Sequence, residues 1–141
     1  MATAVDKDAL YAAYEDVRSD LTKTNWAIFK YEGTMISYDS SGDDLSEINS
    51  KFSDDERAFA FVRVIAGDEM SKRTKFVFLT WIGPKVSPLK RARVSTDKAL
   101  VKQIIQNFAV ELQLENADDL TEDYLRKEVK KAGGANYGTG I

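Results

Sequence analysis

Basic side chains concentrate in one part of this sequence. The stretch GDEMSKRTKFVFLTW places Lys72, Arg73 and Lys75 directly before a run so apolar that it must lie inside the protein. Between Lys72 and Lys102 there are nine bases and one acid, which gives this segment a formal charge of +8 and leaves −11 for the remainder. Clustered lysine and arginine can bind an acidic partner, or they can simply cover a solvated face. Composition alone leaves both interpretations open.

The other polar residues offer little for catalysis. The chain has no cysteine and no histidine, which removes thiol nucleophiles, thiolate zinc sites and the commonest general base. Its adjacent carboxylates, such as Asp43 with Asp44 and Asp118 with Asp119, lie in polar stretches, and we interpret them as turns and helix caps. No glycine pattern matches a phosphate-binding loop. We therefore predict a protein that is not an enzyme and has no metal or cofactor.

Hydrophobic periodicity indicates which elements hold the bases. DKDALYAAYEDVRSDL repeats apolar residues at helical spacing, and NWAIFKYEGTMISYDS is typical of a hairpin that turns at EGT. RAFAFVRVIA and KFVFLTWIG are typical of strands buried on both faces, joined by the exposed loop GDEMSKR. Because the aromatic residues of these strands alternate with aliphatic ones, we predict that they pack in the core and do not stack on nucleic acid bases.

The second half of the chain predicts a basic helix, a strand and a final helix. SPLKRARVSTDKALVKQIIQNF has one helix start at Ser87 and another within VSTD, so we predict one kinked helix or two abutting helices. Lys98 and Lys102 share its outward face. AVELQLE alternates as a half-exposed strand does. The last helix begins at Thr121 and is predicted to end before Gly133.

The predicted order of elements is helix, hairpin, short helix, hairpin, long helix, strand and helix. This order describes an α+β fold in which a single mixed sheet is sandwiched between helices. The 141 residues predict one domain over residues 1–132 and a flexible tail over residues 133–141. Because the sequence shows neither a membrane-spanning run nor a signal peptide, we expect a cytoplasmic protein.

Three blocks of the sequence resemble one known family. FAFVRVIAGDEMSKRTKFVFLTWIG, DKALVKQIIQNFA and KKAGGANY are similar to the coactosins and coactosin-like proteins, which belong to the actin-depolymerising factor/cofilin homology class. The likeness runs from Asp6 to Tyr137. The resemblance implies a mixed sheet of five or six strands between helices. It also implies binding to filamentous actin in the cytoskeleton, without enzymatic activity or cofactor.

The resemblance extends to the bases that would contact the filament. The basic loop SKRTK is intact, and the region that cofilins use against actin corresponds to SPLKRARVSTDKALVKQ. With the two lysines of the outward helix face, the predicted filament-binding residues are Lys72, Arg73, Lys75, Lys90, Arg91, Arg93, Lys98 and Lys102.

The sequence also departs from the cofilin pattern. RVSTDK replaces the cofilin pattern Lys-Met-x-Tyr-Ala-Ser-Ser-Lys, which favours side binding to filaments and interference with barbed-end capping, with little or no severing. The N-terminal MATAV lacks the regulatory serine of cofilins, so we do not expect the same phosphorylation switch.

Two alternative partners would use the same basic surface. One is an acidic phospholipid such as a phosphoinositide, and the other is nucleic acid, for which the acidic remainder of the chain would have to face away. We expect filamentous actin as the partner, no nucleic acid, and a monomeric protein. Exposed ion pairs are screened over about 8 Å at physiological ionic strength, so filament binding should weaken as salt rises.

Overall fold

A six-stranded sheet forms the centre of the protein. The computed structural model describes residues 2–67 and 72–140, with side chains described up to residue 132. The strands lie in the spatial order β1-β3-β2-β4-β5-β6. Their bounds are β1 Ala4–Val5, β2 Trp26–Glu32, β3 Met35–Gly42, β4 Arg57–Gly67, β5 Lys72–Ile82 and β6 Val110–Leu114.

The pairing of the strands confirms the predicted single mixed sheet. β2 pairs antiparallel with β3 and β4, and β4 pairs antiparallel with β5, whereas the edge strands β1 and β6 run parallel to β3 and β5. β1 was not predicted, because two residues are too few to show a period. The pairing of β4 with β5 runs from Arg57 opposite Ile82 to Gly67 opposite Lys72.

The β4–β5 hairpin extends beyond its neighbours. β2 pairs with β4 from Ala58 to Val62, and β6 pairs with β5 from Val77 to Trp81. In the part of the chain that the structure describes, residues 64–67 of β4 and residues 72–75 of β5 therefore pair only with each other. We call this two-stranded projection the arm.

Helices cover both faces of the sheet. α1 (Lys7–Arg18) and α2 (Pro88–Lys102) pack on one face, and α3 (Glu122–Gly140) packs on the other with a 3₁₀ helix, Leu45–Lys51. A second 3₁₀ helix spans Ala117–Asp119. Since β4 and β5 carry apolar side chains on both faces, their sequences read as continuous apolar runs. Of the seven predicted core aromatics, Phe76 is partly buried and the others are buried, namely Trp26, Phe29, Phe59, Phe61, Phe78 and Trp81.

One helix decides between two predicted alternatives and another differs from its prediction. α2 is one helix from Pro88 to Lys102 and not two abutting helices, and VSTD lies inside it. α3 continues to Gly140, because a glycine ends a helix when it adopts a left-handed conformation and the positive φ angles of the described residues are at Gly33 and Gly67. The predicted mobility of residues 133–141 stays a prediction.

Candidate functional site

The eight predicted bases do not form one continuous surface. β5 runs from Lys72 to Ile82, which corresponds to about 33 Å at the usual rise of an extended strand. Lys72 lies at one end of this strand, and α2 begins beyond the other end. The structure therefore separates the bases into a group at the tip of β5, a group at the start of α2 and a pair in the second half of α2.

The first group, which we call the β5 tip, comprises Lys72, Arg73 and Lys75. The sequence pattern predicted Lys72 and Arg73 in the exposed loop GDEMSKR and Lys75 at the start of the next strand; residues 68–71 of that loop lie outside the described part of the chain. The structure places all three in β5, paired with the end of β4. Because strand residues alternate between faces, Arg73 and Lys75 lie on the α3 side of the arm and Lys72 lies on the opposite side. None of the three forms an ion pair with a described residue.

α3 places further basic residues beside the β5 tip, and these were not among the predicted bases. Arg126, Lys127 and Lys130 line an open hollow next to the last residues of β4, together with Asp123. Arg126 Nε donates a hydrogen bond of 3.0 Å to the carbonyl of Ile65, which ties α3 to the arm. The spacing of these bases shows a common helix face. The spacing does not show which end of the sheet that helix face adjoins, so the sequence did not place these bases beside the β5 tip.

The second group of bases comprises Lys90, Arg91 and Arg93. Together with the neighbouring Leu89, we call it the α2 start. Ser87 caps the helix, because its Oγ accepts a hydrogen bond of 3.4 Å from the amide of Lys90, and Pro88 occupies the first turn. Leu89 is 76% exposed, which is unusual for a large apolar side chain. A single leucine among polar residues carries no period, so the sequence alone does not indicate Leu89.

Buried polar contacts fix the α2 start on the sheet. Asp97 is only 2% exposed, and its Oδ2 accepts a hydrogen bond of 2.6 Å from the Tyr31 hydroxyl. The Arg57 guanidinium lies 3.8 Å from the centre of the Tyr31 ring, and its Nη1 donates to the carbonyl of Lys90 at 3.3 Å. Burial, and next the hydrogen bond to Asp97, raise the pKa of Tyr31 well above its usual range. Tyr31 therefore remains a neutral donor at ordinary pH.

Arg91 is also engaged within the protein. Its Nη2 donates to the carbonyl of Gly83 at 3.1 Å, and its Nη1 lies 3.7 Å from a carboxylate oxygen of Glu115. Lys90, by contrast, is exposed and its ammonium forms no ion pair in the described ranges. Lys90 and Leu89 are thus the side chains of the α2 start that are most available to a partner.

The third group is an internal ion-pair cluster, which we call the Glu111 clamp. The two carboxylate oxygens of Glu111 lie 2.9 Å from Lys98 Nζ and 2.7 Å from Lys102 Nζ. Burial raises the pKa of the Glu111 carboxyl, but the hydrogen bonds from Lys102 and Lys98 outweigh that effect, so the pKa lies below its usual range. The two lysines join α2 to β6, and the structure does not bring them together with the β5 tip.

Adjacent aspartates lie in caps and turns, as the sequence predicted for them. Asp44 caps the first 3₁₀ helix by accepting a hydrogen bond of 3.0 Å from the amide of Ser46, and Asp118 and Asp119 lie in the second. Among residues 2–67 and 72–140, no three acidic side chains are grouped as metal ligands would be. No helix of the described chain has the length and hydrophobicity needed to cross a membrane.

Comparison with known proteins shows a consistent set of relatives. A family model described as "Cofilin/tropomyosin-type actin-binding protein" matches residues 2–130. The coactosin-like protein of Rattus norvegicus is 50% identical over 137 residues, which are 97% of this chain and 96% of that protein. Coactosin of Dictyostelium discoideum is 45% identical over 139 residues, with 94% of this chain and 93% of that protein covered.

Solved structures agree with these relatives. Crystal structures of human coactosin-like protein match with a TM-score of 0.89 and 46% identity, and cover 92% of this chain and 99% of the human chain. The solution structure of mouse coactosin, described as "an actin filament binding protein", matches with a TM-score of 0.81 and 48% identity, and covers 99% of both chains. Cofilin of Streptomyces griseoflavus is 19% identical with a TM-score of 0.79 and shows a common fold alone.

Proposed function

This chain belongs to the cofilin/tropomyosin-type actin-binding protein family, and on that premise we propose that it binds the sides of actin filaments without catalysing a reaction. The observation that carries the proposal is the presence of bases without described ion-pair partners at two ends of one sheet. These bases are Lys72 and Arg73, which are exposed, and the half-buried Lys75 at the β5 tip, and the exposed Lys90 at the α2 start.

The β5 tip is suited to an acidic protein surface. Its bases project from a paired strand, so the backbone that carries them is already restrained before they bind. Lys127 and Lys130 of α3 enlarge the positive surface on the same side as Arg73 and Lys75, whereas Arg126 is engaged by Glu122 and the Ile65 carbonyl. Such a surface raises the rate of encounter and fixes the orientation of an acidic partner.

The α2 start supplies a contact of a different kind. Leu89 is an exposed apolar residue beside the exposed base Lys90, and apolar anchors surrounded by polar residues contribute much of the affinity of protein interfaces. The buried Tyr31–Asp97 hydrogen bond holds this part of α2 in a fixed position. The two contacts are separated by about the length of β5, so we propose that the protein bridges two places along the filament side.

The finer properties of the activity are part of the same proposal. We expect a cytoplasmic monomer, associated with the actin cytoskeleton, that interferes with barbed-end capping and severs filaments little or not at all. In an assay of filament elongation from capped seeds, this protein should restore growth without increasing the number of ends. An increase in the number of ends would contradict the absence of severing.

Cosedimentation with actin filaments tests the proposed binding directly. The native chain should pellet, and Lys75→Ala should pellet much less while remaining folded. The control Lys98→Ala/Lys102→Ala removes more positive charge than Lys75→Ala, yet it should pellet as the native chain does, because the Glu111 clamp already engages those lysines. Pelleting should also fall between 50 and 300 mM salt, since exposed charges are screened. A native chain that stays in the supernatant at low salt would exclude filament binding.

Binding assays with other partners separate the proposal from its alternative, which is binding of acidic phospholipid or nucleic acid by the same basic surface. Vesicles that contain phosphatidylinositol bisphosphate and a short DNA duplex are the two probes. If the native chain binds either probe at physiological salt but does not pellet with filaments, the alternative is favoured. Pelleting on filaments alone would favour actin.

A further inference from the structure

The residues that precede α2 form a pattern for covalent modification. Ser87 is followed by Pro88, Leu89 and Lys90. The chain has two prolines, and the other, Pro84, follows a glycine. Ser87 is therefore the one hydroxyl residue in the sequence that stands directly before a proline. Ser-Pro-x-Lys is the pattern that proline-directed protein kinases accept.

The structure presents Ser87 in an accessible form. The residue is exposed, with φ −62° and ψ 152°, which is the extended conformation that a following proline favours. Pro88, Leu89 and Lys90 form the first turn of α2, so this turn must open before a kinase can bind the pattern as an extended chain. The hydrogen bond that Ser87 Oγ accepts from the amide of Lys90 is long, at 3.4 Å, so little is lost when the hydroxyl leaves it.

We infer that Ser87 is a phosphorylation site that weakens the contact of the α2 start with the filament, an inference that rests on the proposed function. In the modification, Ser87 Oγ attacks the terminal phosphorus of a nucleoside triphosphate bound to the kinase. The new oxygen–phosphorus bond replaces the bond to the bridging oxygen, and the nucleoside diphosphate leaves. The hydroxyl proton passes to a carboxylate base of the kinase.

The phosphate changes the charge of the α2 start and preserves its fold. A phosphoserine carries a charge of about −2 at neutral pH, and Lys90 and Arg91 follow Ser87 by three and four residues, which places them one helical turn away. The phosphate therefore offsets the positive charge of these residues. An anion at the start of a helix is favourable, because the first amides of the helix lack acceptors. Phosphorylation should thus weaken filament binding without lowering stability.

The effect should be confined to one of the two contacts. The β5 tip lies about 33 Å from the α2 start, well beyond the Debye length of about 8 Å. Phosphorylated protein should therefore retain the salt-sensitive contact made by Lys75. We expect an affinity for filaments about tenfold lower than that of unmodified protein, with the remaining binding lost in Lys75→Ala.

The first experiment asks whether Ser87 is an acceptor and does not depend on actin. The purified full chain is incubated with a proline-directed serine kinase and ATP, and the product is mapped by mass spectrometry. One phosphate should appear on Ser87, and it should be absent from both Ser87→Ala and Pro88→Ala. Pro88→Ala is the sharper control because it keeps the hydroxyl. Absence of phosphate from Ser87, or equal labelling of Pro88→Ala, overturns the inference.

The second experiment measures the consequence. Phosphorylated chain, unmodified chain and phosphatase-treated chain are compared by cosedimentation and by thermal unfolding. Weaker pelleting that the phosphatase restores, with a Tm that is not lowered, supports the inference, whereas unchanged pelleting or a lowered Tm overturns it. If the unmodified chain does not pellet, the proposed function fails, and the regulatory inference fails with it even where Ser87 is labelled.

Discussion

The β5 tip and the second half of α2 carry the same kinds of side chain in different surroundings. Lys72, Arg73 and Lys75 form no ion pair with a described residue. Lys98 and Lys102 both bind the carboxylate of Glu111. A base that already has a partner must give it up before it can bind another molecule, so local charge density alone does not identify a binding surface.

The largest expected effect comes from removing the bases of the β5 tip. Arg73→Ala/Lys75→Ala should reduce affinity for actin filaments more than tenfold, equivalent to about 1.4 kcal/mol or more, because both side chains lie on the same side of the arm as the bases of α3. Cosedimentation measures the effect, and Lys98→Ala/Lys102→Ala is the matched control. If the control loses as much affinity as the tip variant, the distinction between the two regions is wrong.

The next effect concerns the support of α2. Tyr31→Phe removes the hydrogen bond to the buried carboxylate of Asp97 and should lower the free energy of unfolding by about 1–3 kcal/mol. Because the pKa of Tyr31 is raised in the folded protein, its contribution is present below the usual tyrosine pKa of about 10 and is lost above it. Denaturant unfolding from pH 7 to pH 11 should show less alkaline destabilisation in the variant.

The control for Tyr31→Phe is Tyr38→Phe. Tyr38 is exposed and its hydroxyl hydrogen bonds with that of Ser41 at 2.8 Å, so its loss should cost much less. Equal destabilisation by the two substitutions would mean that the Asp97 contact has no special role in holding α2.

A smaller effect is expected from the exposed leucine of the α2 start. Leu89→Ala should weaken filament binding about fivefold, or by about 1 kcal/mol, and should leave the Tm unchanged because the side chain is 76% exposed. Leu21→Ala is the control, since Leu21 is also exposed but follows α1. Binding that is insensitive to Leu89→Ala would reduce the proposed surface to the β5 tip.

The smallest effect should come from the Glu111 clamp. Glu111→Gln should lower the free energy of unfolding by less than about 1 kcal/mol, because the ion pairs are partly exposed, and should leave filament binding unchanged. The pKa of Glu111 is lowered in the folded protein, so its stabilisation is present above the usual glutamate pKa of about 4.3 and is lost as the pH falls below it. The free energies of unfolding at pH 7 and pH 3 should differ less in Glu111→Gln than in the native chain. A loss of cosedimentation with filaments in this variant would contradict the internal role of the Glu111 clamp.

Much of the fold could be predicted because its signals are local. The continuous apolar runs of β4 and β5 indicated central strands, and Ser87 with Pro88 indicated the start of α2. The two-residue strand β1 and the extension of α3 to Gly140 could not be predicted in this way. The first depends on pairing with β3, which is distant in sequence, and glycine is a weak stop signal unless its backbone is left-handed.

The sequence was sufficient to predict which basic residues the candidate site contains, but not how they are arranged in the fold. The sequence identified the bases, but it did not show that Glu111 faces Lys98 and Lys102, or that α3 lies beside the β5 tip. Asp97 illustrates the reason. It is the single acid of a basic segment, and its partner Tyr31 is 66 residues away in sequence, a relation that only the folded chain reveals.

The arm at the end of β4 and β5 has a consequence for local stability. A two-stranded ribbon is only marginally stable alone, and the arm depends on attachments such as the hydrogen bond from Arg126 to the Ile65 carbonyl. Its amide hydrogens should exchange with solvent before those of β2 and the centre of β4, which are paired on both sides. We therefore expect the arm to open locally, and a partner bound there to be released, while the core of the sheet remains folded.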